Sequence, residues 1–126
     1  MKFEDMEIWK RSARLSAKLY KSFVDCKDFG FKDQITRSSL SVPSNIAEGS
    51  ERNSKKDFVR FLKYAKGSCG ELRTQIYIGM DIGYIDLCQG KVWLNETREI
   101  SAMLVAFINS IESQIVTENK NIEVRS

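Results

Sequence analysis

The sequence predicts an all-α protein, an antiparallel up-and-down four-helix bundle, on three observations. Apolar residues recur at three- and four-residue intervals through most of the 126 positions. One proline and seven glycines leave few interruptions, and the breaks are short, as antiparallel neighbours require. At this length the chain forms one domain, large enough for a core and small enough for subunit contacts to add to it.

The first helix opens after Asp5, a candidate N-cap, and carries Met6, Trp9, Ala13, Tyr20 and Phe23 at helical intervals with Ser16 in the gap. Ile8, Leu15 and Leu19 widen the stripe to about half the circumference, more than one neighbour covers. Opposite lie Lys10, Arg11, Arg14, Lys18 and Lys21. They form either a solvated face, supported by Glu7 four residues before Arg11, or a phosphate-facing stripe.

A turn is expected between Asp25 and Lys32 around Gly30, then a second helix over about residues 32–48 that buries Phe31, Ile35, Val42 and Ile46. Pro43 lacks an amide proton and crowds the Ser39 carbonyl, which predicts a kink or break costing about 3 kcal/mol. Ser38, Ser39 and Ser41 offer hydroxyls to the freed backbone. Ser41, Asn45, Glu48 and Arg52 follow at intervals of four, three and four, with Arg37 one turn earlier. This seam reads as a hydrogen-bonded lock between helices or as a contact for a ligand or nucleic acid. Gly49 is expected to stop the helix in the left-handed conformation.

Ser54-Lys-Lys-Asp57 is a capping-box start for a third helix of about 28 residues, roughly 40 Å long. Phe58, Phe61, Leu62, Ala65, Cys69, Leu72, Ile76 and Met80 form its stripe, and Arg52, Lys56, Arg60, Lys63 and Lys66 lie opposite. Gly67 and Gly70 interrupt it, each costing up to about 1 kcal/mol relative to alanine. Close approach of another backbone, from this chain or a second subunit, is the expected reason. Gly79 and Gly83 weaken its end. Asp86 caps a last helix bearing Trp93, Ile100, Leu104, Phe107, Ile111 and Ile115, flanked by Val92, Met103, Ile108 and Val116. The bundle domain is expected to span 1–117, and residues 118–126, where the period is lost, to be frayed or disordered.

The absence of histidine removes the usual general base and the commonest metal ligand. No enzyme activity, metal or cofactor is therefore expected. Cys26, Cys69 and Cys88 are odd in number and too far apart for a metal clip, which suits reduced thiols in the cytoplasm. No leader opens the chain, and no apolar run is expected to approach the roughly 18 residues that span a bilayer, so no membrane partner is expected. Residues 1–73 hold sixteen basic and ten acidic side chains, and residues 74–126 four and seven. That asymmetry points to a polyanion partner for the first half. The candidate nucleic-acid-binding residues are Lys10, Arg11, Arg14, Lys18, Lys56, Arg60 and Lys63. The seam of Arg37, Ser41, Asn45, Glu48 and Arg52 carries no assigned role.

Gln34–Gly49, with its Pro-Ser-Asn-Ile-Ala-Glu-Gly core, then Ser50-Glu-Arg52, Ser54–Phe58 and Gly67-Ser-Cys-Gly-Glu-Leu72 resemble the four-helix-bundle proteins encoded within intervening sequences of bacterial 23S ribosomal RNA genes. Phe3–Trp9 and Gly83-Tyr-Ile85 are similar too. The likeness covers about residues 3–116 and extends to accessory proteins of diversity-generating retroelements. Arg37, Pro43, Asn45, Glu48, Gly49, Arg52 and Glu71 match recurrent positions of the family. The resemblance implies a homopentameric, barrel-like ring. For the retroelement relatives it also implies nucleic-acid binding and a reverse-transcriptase partner, although those relatives are strongly basic and this chain is mildly so. It carries no catalytic assignment. The readings that follow are an oligomeric RNA-binding accessory protein, an assembly or adapter module without nucleic acid, and an enzyme using Glu48 with Arg37 or Arg52.

Overall fold

A computed structural model describes residues 2–125. A 3-10 turn at Phe3–Asp5 leads into α1 (Glu7–Ser22), α2 (Phe29–Ser50), α3 (Lys55–Asp81) and α4 (Leu87–Arg125). Each helix packs on the next in sequence, most extensively α2 with α3 and α3 with α4, while α1 meets α4 only lightly. Helices α1 and α3 bring no backbone within close range of each other and stand on a diagonal. This is the antiparallel up-and-down four-helix bundle, and the described residues contain no strand.

Local chemistry fixes where the helices begin, with some departures from expectation. Met6, not Asp5, occupies the N-cap of α1 and makes no side-chain cap bond, because Asp5 belongs to the preceding 3-10 turn. Asp28 accepts from the Phe31 amide at 3.2 Å, so α2 starts at Phe29 and takes Gly30 into its first turn. Ser54 accepts from the Asp57 amide at 3.1 Å, as a capping box requires. The Asp57 carboxylate pairs with Arg60 at 3.3 Å, and no return bond to Ser54 is made. Asp86 caps α4 through the Gln89 amide. Gly83, at φ +82°, turns the chain into α4.

The core is a continuous apolar cluster in which Leu19, Ile35, Ile46, Leu62, Leu72, Ile76, Ile100 and Leu104 are fully buried. The buried arc of α1 is centred on Ile8, Ser12, Leu15, Ser16 and Leu19, which leaves Tyr20 exposed and Trp9 half-buried. Two hydroxyls join α1 to α2 in the interior. Ser39 donates to the Thr36 carbonyl at 2.7 Å, so its oxygen accepts from Ser16 at 3.0 Å. The Ser39 hydroxyl is thereby committed away from the backbone around Pro43. Helix α2 nonetheless runs through buried Pro43 unbroken, held on both sides by α1 and α3.

The glycines do not act as expected. Gly49 is buried with φ outside the left-handed region, and α2 continues to Ser50. A β-carbon there would stand 2.8 Å from Phe61 Cβ and 2.9 Å from Phe58 Cδ1, so Gly49 lets α2 and α3 approach closely. At Gly67 and Gly70 a β-carbon would meet nothing within 4 Å. Among the described residues no neighbouring helix closes on that space, which corrects the intrachain explanation.

At about 58 Å by helical rise, α4 outruns its neighbours. It stays helical through Arg125 where fraying was expected from 118, and Lys55 pairs with Glu118. Met1 and Ser126, the ends of the two expected segments, lie outside the described residues. Among the described residues, one helix, α4, is long and apolar enough to cross a membrane by length and composition alone, with an 18-residue window of mean hydropathy 1.4 where no such stretch was expected. Only 22% of that window is buried within the chain, which leaves Val105 and Val116 facing outward.

Replacing Gly49 with alanine is predicted to destabilise the fold by about 1–3 kcal/mol through overpacking. Leu72→Ala should cost about 2–5 kcal/mol through cavity formation. Urea denaturation measures both, and an unchanged midpoint for Gly49→Ala would contradict the close α2–α3 approach.

Candidate nucleic-acid interface

The seven candidate nucleic-acid-binding residues, drawn from two basic stripes, fall into two groups in the structure. Those of α1 and α3 lie on diagonal helices, and each group borders α4 from its own side. The outer face of α4 separates them.

On α1, Arg11 is drawn into the bundle. Its Nε donates to Glu96 Oε1 at 2.8 Å, and its Nη2 donates to Glu96 Oε2 at 2.9 Å and to Glu99 Oε2 at 2.7 Å. Hydrogen bonds donated to both glutamates raise the Arg11 guanidinium above its ordinary range, and the bond accepted from Arg11 holds the Glu96 carboxyl below the usual carboxylate value against the opposing effect of burial. Arg11 therefore clamps the weakly packed α1 and α4, with its charge met by two carboxylates of this chain. Lys10 is half-buried, while Arg14 and Lys18 are exposed. The latter two flank a cleft of about 360 Å³ floored by Leu15 and Trp93. Trp93 is 3% exposed and its indole nitrogen has no partner among the described residues. Being buried, that nitrogen is out of reach of a ligand in the cleft.

On α3, Lys56, Arg60, Lys63 and Lys66 project from the side opposite the core stripe of Leu62, Ala65, Cys69 and Leu72. Arg60 pairs with Asp57, and Lys63 stands 3.7 Å from Glu112 of α4, both exposed pairs worth about 1 kcal/mol or less. The Lys56 and Lys66 side chains make no hydrogen bond or ion pair among the described residues. Arg52 and Arg60 lie 4.7 and 5.1 Å from the Phe61 ring centroid, and Tyr64 packs edge-on against Phe61 with its side chain half exposed. Lys66 and Arg73, absent from the predicted site, line the α3–α4 groove with Lys63. Their spacing from Lys63, three and ten residues, was the available signal.

The predicted polar seam does not close between helices. Arg37 pairs with Asp33 at 3.0 Å, Asn45 Nδ2 donates to the Ser41 carbonyl at 2.8 Å, and Arg52 pairs with Glu48 at 2.6 Å. Each contact is one turn long within α2 or at its end, so the seam is a run of local pairs. The buried polar link is Ser16 with Ser39 instead. Burial pushes the Cys69 thiol up to about 11, and it donates to the Thr97 carbonyl, so this cysteine is structural. No cluster of metal-ligating side chains occurs among the described residues.

The family model for the 23S rRNA-intervening sequence protein matches residues 4–106. The chain belongs to that family. A crystal structure from Bacteroides thetaiotaomicron, described as a protein with unknown function from the S23 ribosomal protein family, is similar at 27% identity with a TM-score of 0.76. The match covers 80% of this chain and 97% of that one. No curated protein matches. In this intervening-sequence protein the matched region contains all of α1, α2 and α3, and hence both basic groups.

The Arg11 clamp gives a pH prediction. Because Glu96 sits below its ordinary value of 4.5 in the folded chain, its stabilisation is full above that pH and is lost as pH falls through its lower folded value. Glu96→Gln should lower stability by about 1–2 kcal/mol at neutral pH. The gap from the unsubstituted protein should close under acid conditions in denaturant titrations. An equal gap at both pH values would refute the clamp.

Proposed function

We propose that this intervening-sequence protein is a non-enzymatic, homo-oligomeric helical bundle that binds RNA or another nucleic acid through the basic outer face of α3. The observation that carries the reading is the row of Lys56, Arg60, Lys63 and Lys66 on one exposed side of a single helix, where among the described residues Asp57 and Glu112 are the carboxylates that pair with them. Phosphate binding by such a row rests on counterion release and needs no catalytic group. Oligomerisation is supported by the apolar window of α4, most of which this chain leaves unburied. Repeating a basic face around an assembly multiplies a weak attraction, because linked sites act at high effective concentration. A pentameric count and a reverse-transcriptase partner rest on the family resemblance alone.

The exposed α4 window also favours a second reading, an assembly or adapter module in which Val105 and Val116 meet other subunits or a protein partner without nucleic acid.

Fluorescence anisotropy with a labelled structured RNA, repeated over a range of salt, separates the two. The first reading predicts binding that weakens steeply with salt. Lys56→Glu, Arg60→Glu and Lys63→Glu together should weaken binding and make the salt slope shallower by about 2, from roughly 0.7 per phosphate contact on single strands. Arg14→Glu with Lys18→Glu should have the smaller effect. Absence of binding at low salt, with light scattering still reporting an oligomer, would overturn the first reading in favour of the second.

A further inference from the structure

The chain has twenty basic and seventeen acidic side chains, yet two of its faces carry none. On α4, Glu96 turns toward α1 and Glu112 toward α3, and between those edges Ala102, Ala106, Ser110, Ser113 and Thr117 are exposed. From Ile100 to Thr117 the only charged residue is Glu112. The second face is the seam between α1 and α2. Arg11 marks the edge of α1 toward α4, and Ser16, bonded to Ser39, marks the edge toward α2. Beyond Ser16, the residues Trp9, Ala13, Ala17 and Tyr20 fall within about 80° of the helical circumference with no charge among them. Across the seam, α2 has no charged residue from Ser38 to Ala47 and presents Leu40, Ser44 and Ala47. Tyr20 is 42% exposed and Leu40 48%, large side chains that nothing in this chain covers.

The two faces fit each other in shape. The α4 face is the ridge of a single helix, whereas the seam is a valley between two, and ridges pack into grooves. Two α4 ridges would meet only along a line and leave Tyr20 and Leu40 bare. The charges along their borders fit as well. On α4, the α3-facing border is basic, with Arg98 bonded to the Tyr77 hydroxyl, Lys91 two turns before it and Lys120 two turns beyond Glu112. The α1-facing border is acidic, with Glu96 and Glu99 sharing one arginine, Arg11. The seam has the reverse arrangement, Lys10 and Lys21 along α1 and Glu51 at the α2 border, where Asp33 and Glu48 are already paired with Arg37 and Arg52. The side chains of Lys10, Lys21, Glu51, Lys91 and Lys120 make no hydrogen bond or ion pair among the described residues. With an incoming α4 parallel to α2, its basic border lies over Glu51 and its acidic border over the α1 lysines. Reversed, lysine would face lysine, so the charges also set the direction.

We propose that the uncharged outer face of α4 seats in the α1–α2 seam of a second copy of this chain, parallel to α2, in a head-to-tail contact. The contact rests on the homo-oligomeric reading above and names its two surfaces. Because the surfaces differ, each copy keeps one of them free for the next, so assembly proceeds beyond two chains. The basic face of α3 stays outside the contact.

Light scattering on the full chain and two variants tests it. Ala17→Glu with Leu40→Glu spoils the seam, and Ala106→Glu with Ser110→Glu spoils the α4 face. All four positions are exposed, so circular dichroism should report the parent helix content for both variants. Each variant alone should fall to the single-chain mass of 14.5 kDa. Mixed in equal amounts, they should form a species of twice that mass and nothing larger, because the intact α4 of one fits the intact seam of the other. If the parent is an oligomer and either variant keeps its mass, or the mixture stays at the single-chain mass, the contact is wrong and the homo-oligomeric reading stands. A seam variant that remains a dimer would indicate two-fold pairing of α4 and overturn the head-to-tail contact. If the parent itself has the single-chain mass, both fail.

Discussion

Burial of one stripe of α3 is the constraint on which the rest of this molecule depends. Leu62, Ala65, Cys69, Leu72 and Ile76 are each at most 1% exposed, and α3 is the helix that packs most heavily on two neighbours. Once those five positions point inward, helical geometry leaves no choice for the others. Lys56, Arg60, Lys63 and Lys66 must face out, and Gly67 and Gly70 must open beside α4. The hydrophobic effect that stabilises the bundle therefore also aims its charges.

The two basic stripes, alike in composition, differ in how much of their charge is already paired because of what stands opposite them. Arg11 faces Glu96 and Glu99 at the lightly packed α1–α4 seam, where three charged hydrogen bonds supply the closure that apolar contact does not. The α3 stripe faces solvent and two weak partners, Asp57 and Glu112. A guanidinium held by two carboxylates offers little to a phosphate, whereas an unpaired ammonium offers its whole charge. Lysine and arginine counts alone do not distinguish these situations.

The four helices, their order and the Ser54 and Asp86 caps were legible because apolar periodicity and capping are local properties of the chain. What sequence reading missed depends on the third dimension. Asp5 failed as a cap because a 3-10 turn claims it, and Gly49 was misread because the Phe58 and Phe61 side chains that need its missing β-carbon come from the next helix. The Arg37–Arg52 seam has the spacing of a network, yet its hydrogen-bonding side chains find partners one turn away within α2 or at its end, so no interhelical lock forms. Lys66 and Arg73 joined Lys63 only once α4 supplied the opposite wall of the groove. The hydroxyl bond between Ser16 and Ser39 spans 23 residues and follows from the α1–α2 register, which no single helix encodes.

The central claim is that the outward face of α3 is the working surface and the basic stripe of α1 is not. Lysine acetylation footprinting by mass spectrometry, with and without saturating single-stranded RNA, measures this directly. Lys56, Lys63 and Lys66 are expected to lose reactivity when RNA is present, while Lys10, Lys18 and Lys21 keep theirs. Protection confined to the α1 lysines, or equal on both helices, would contradict it.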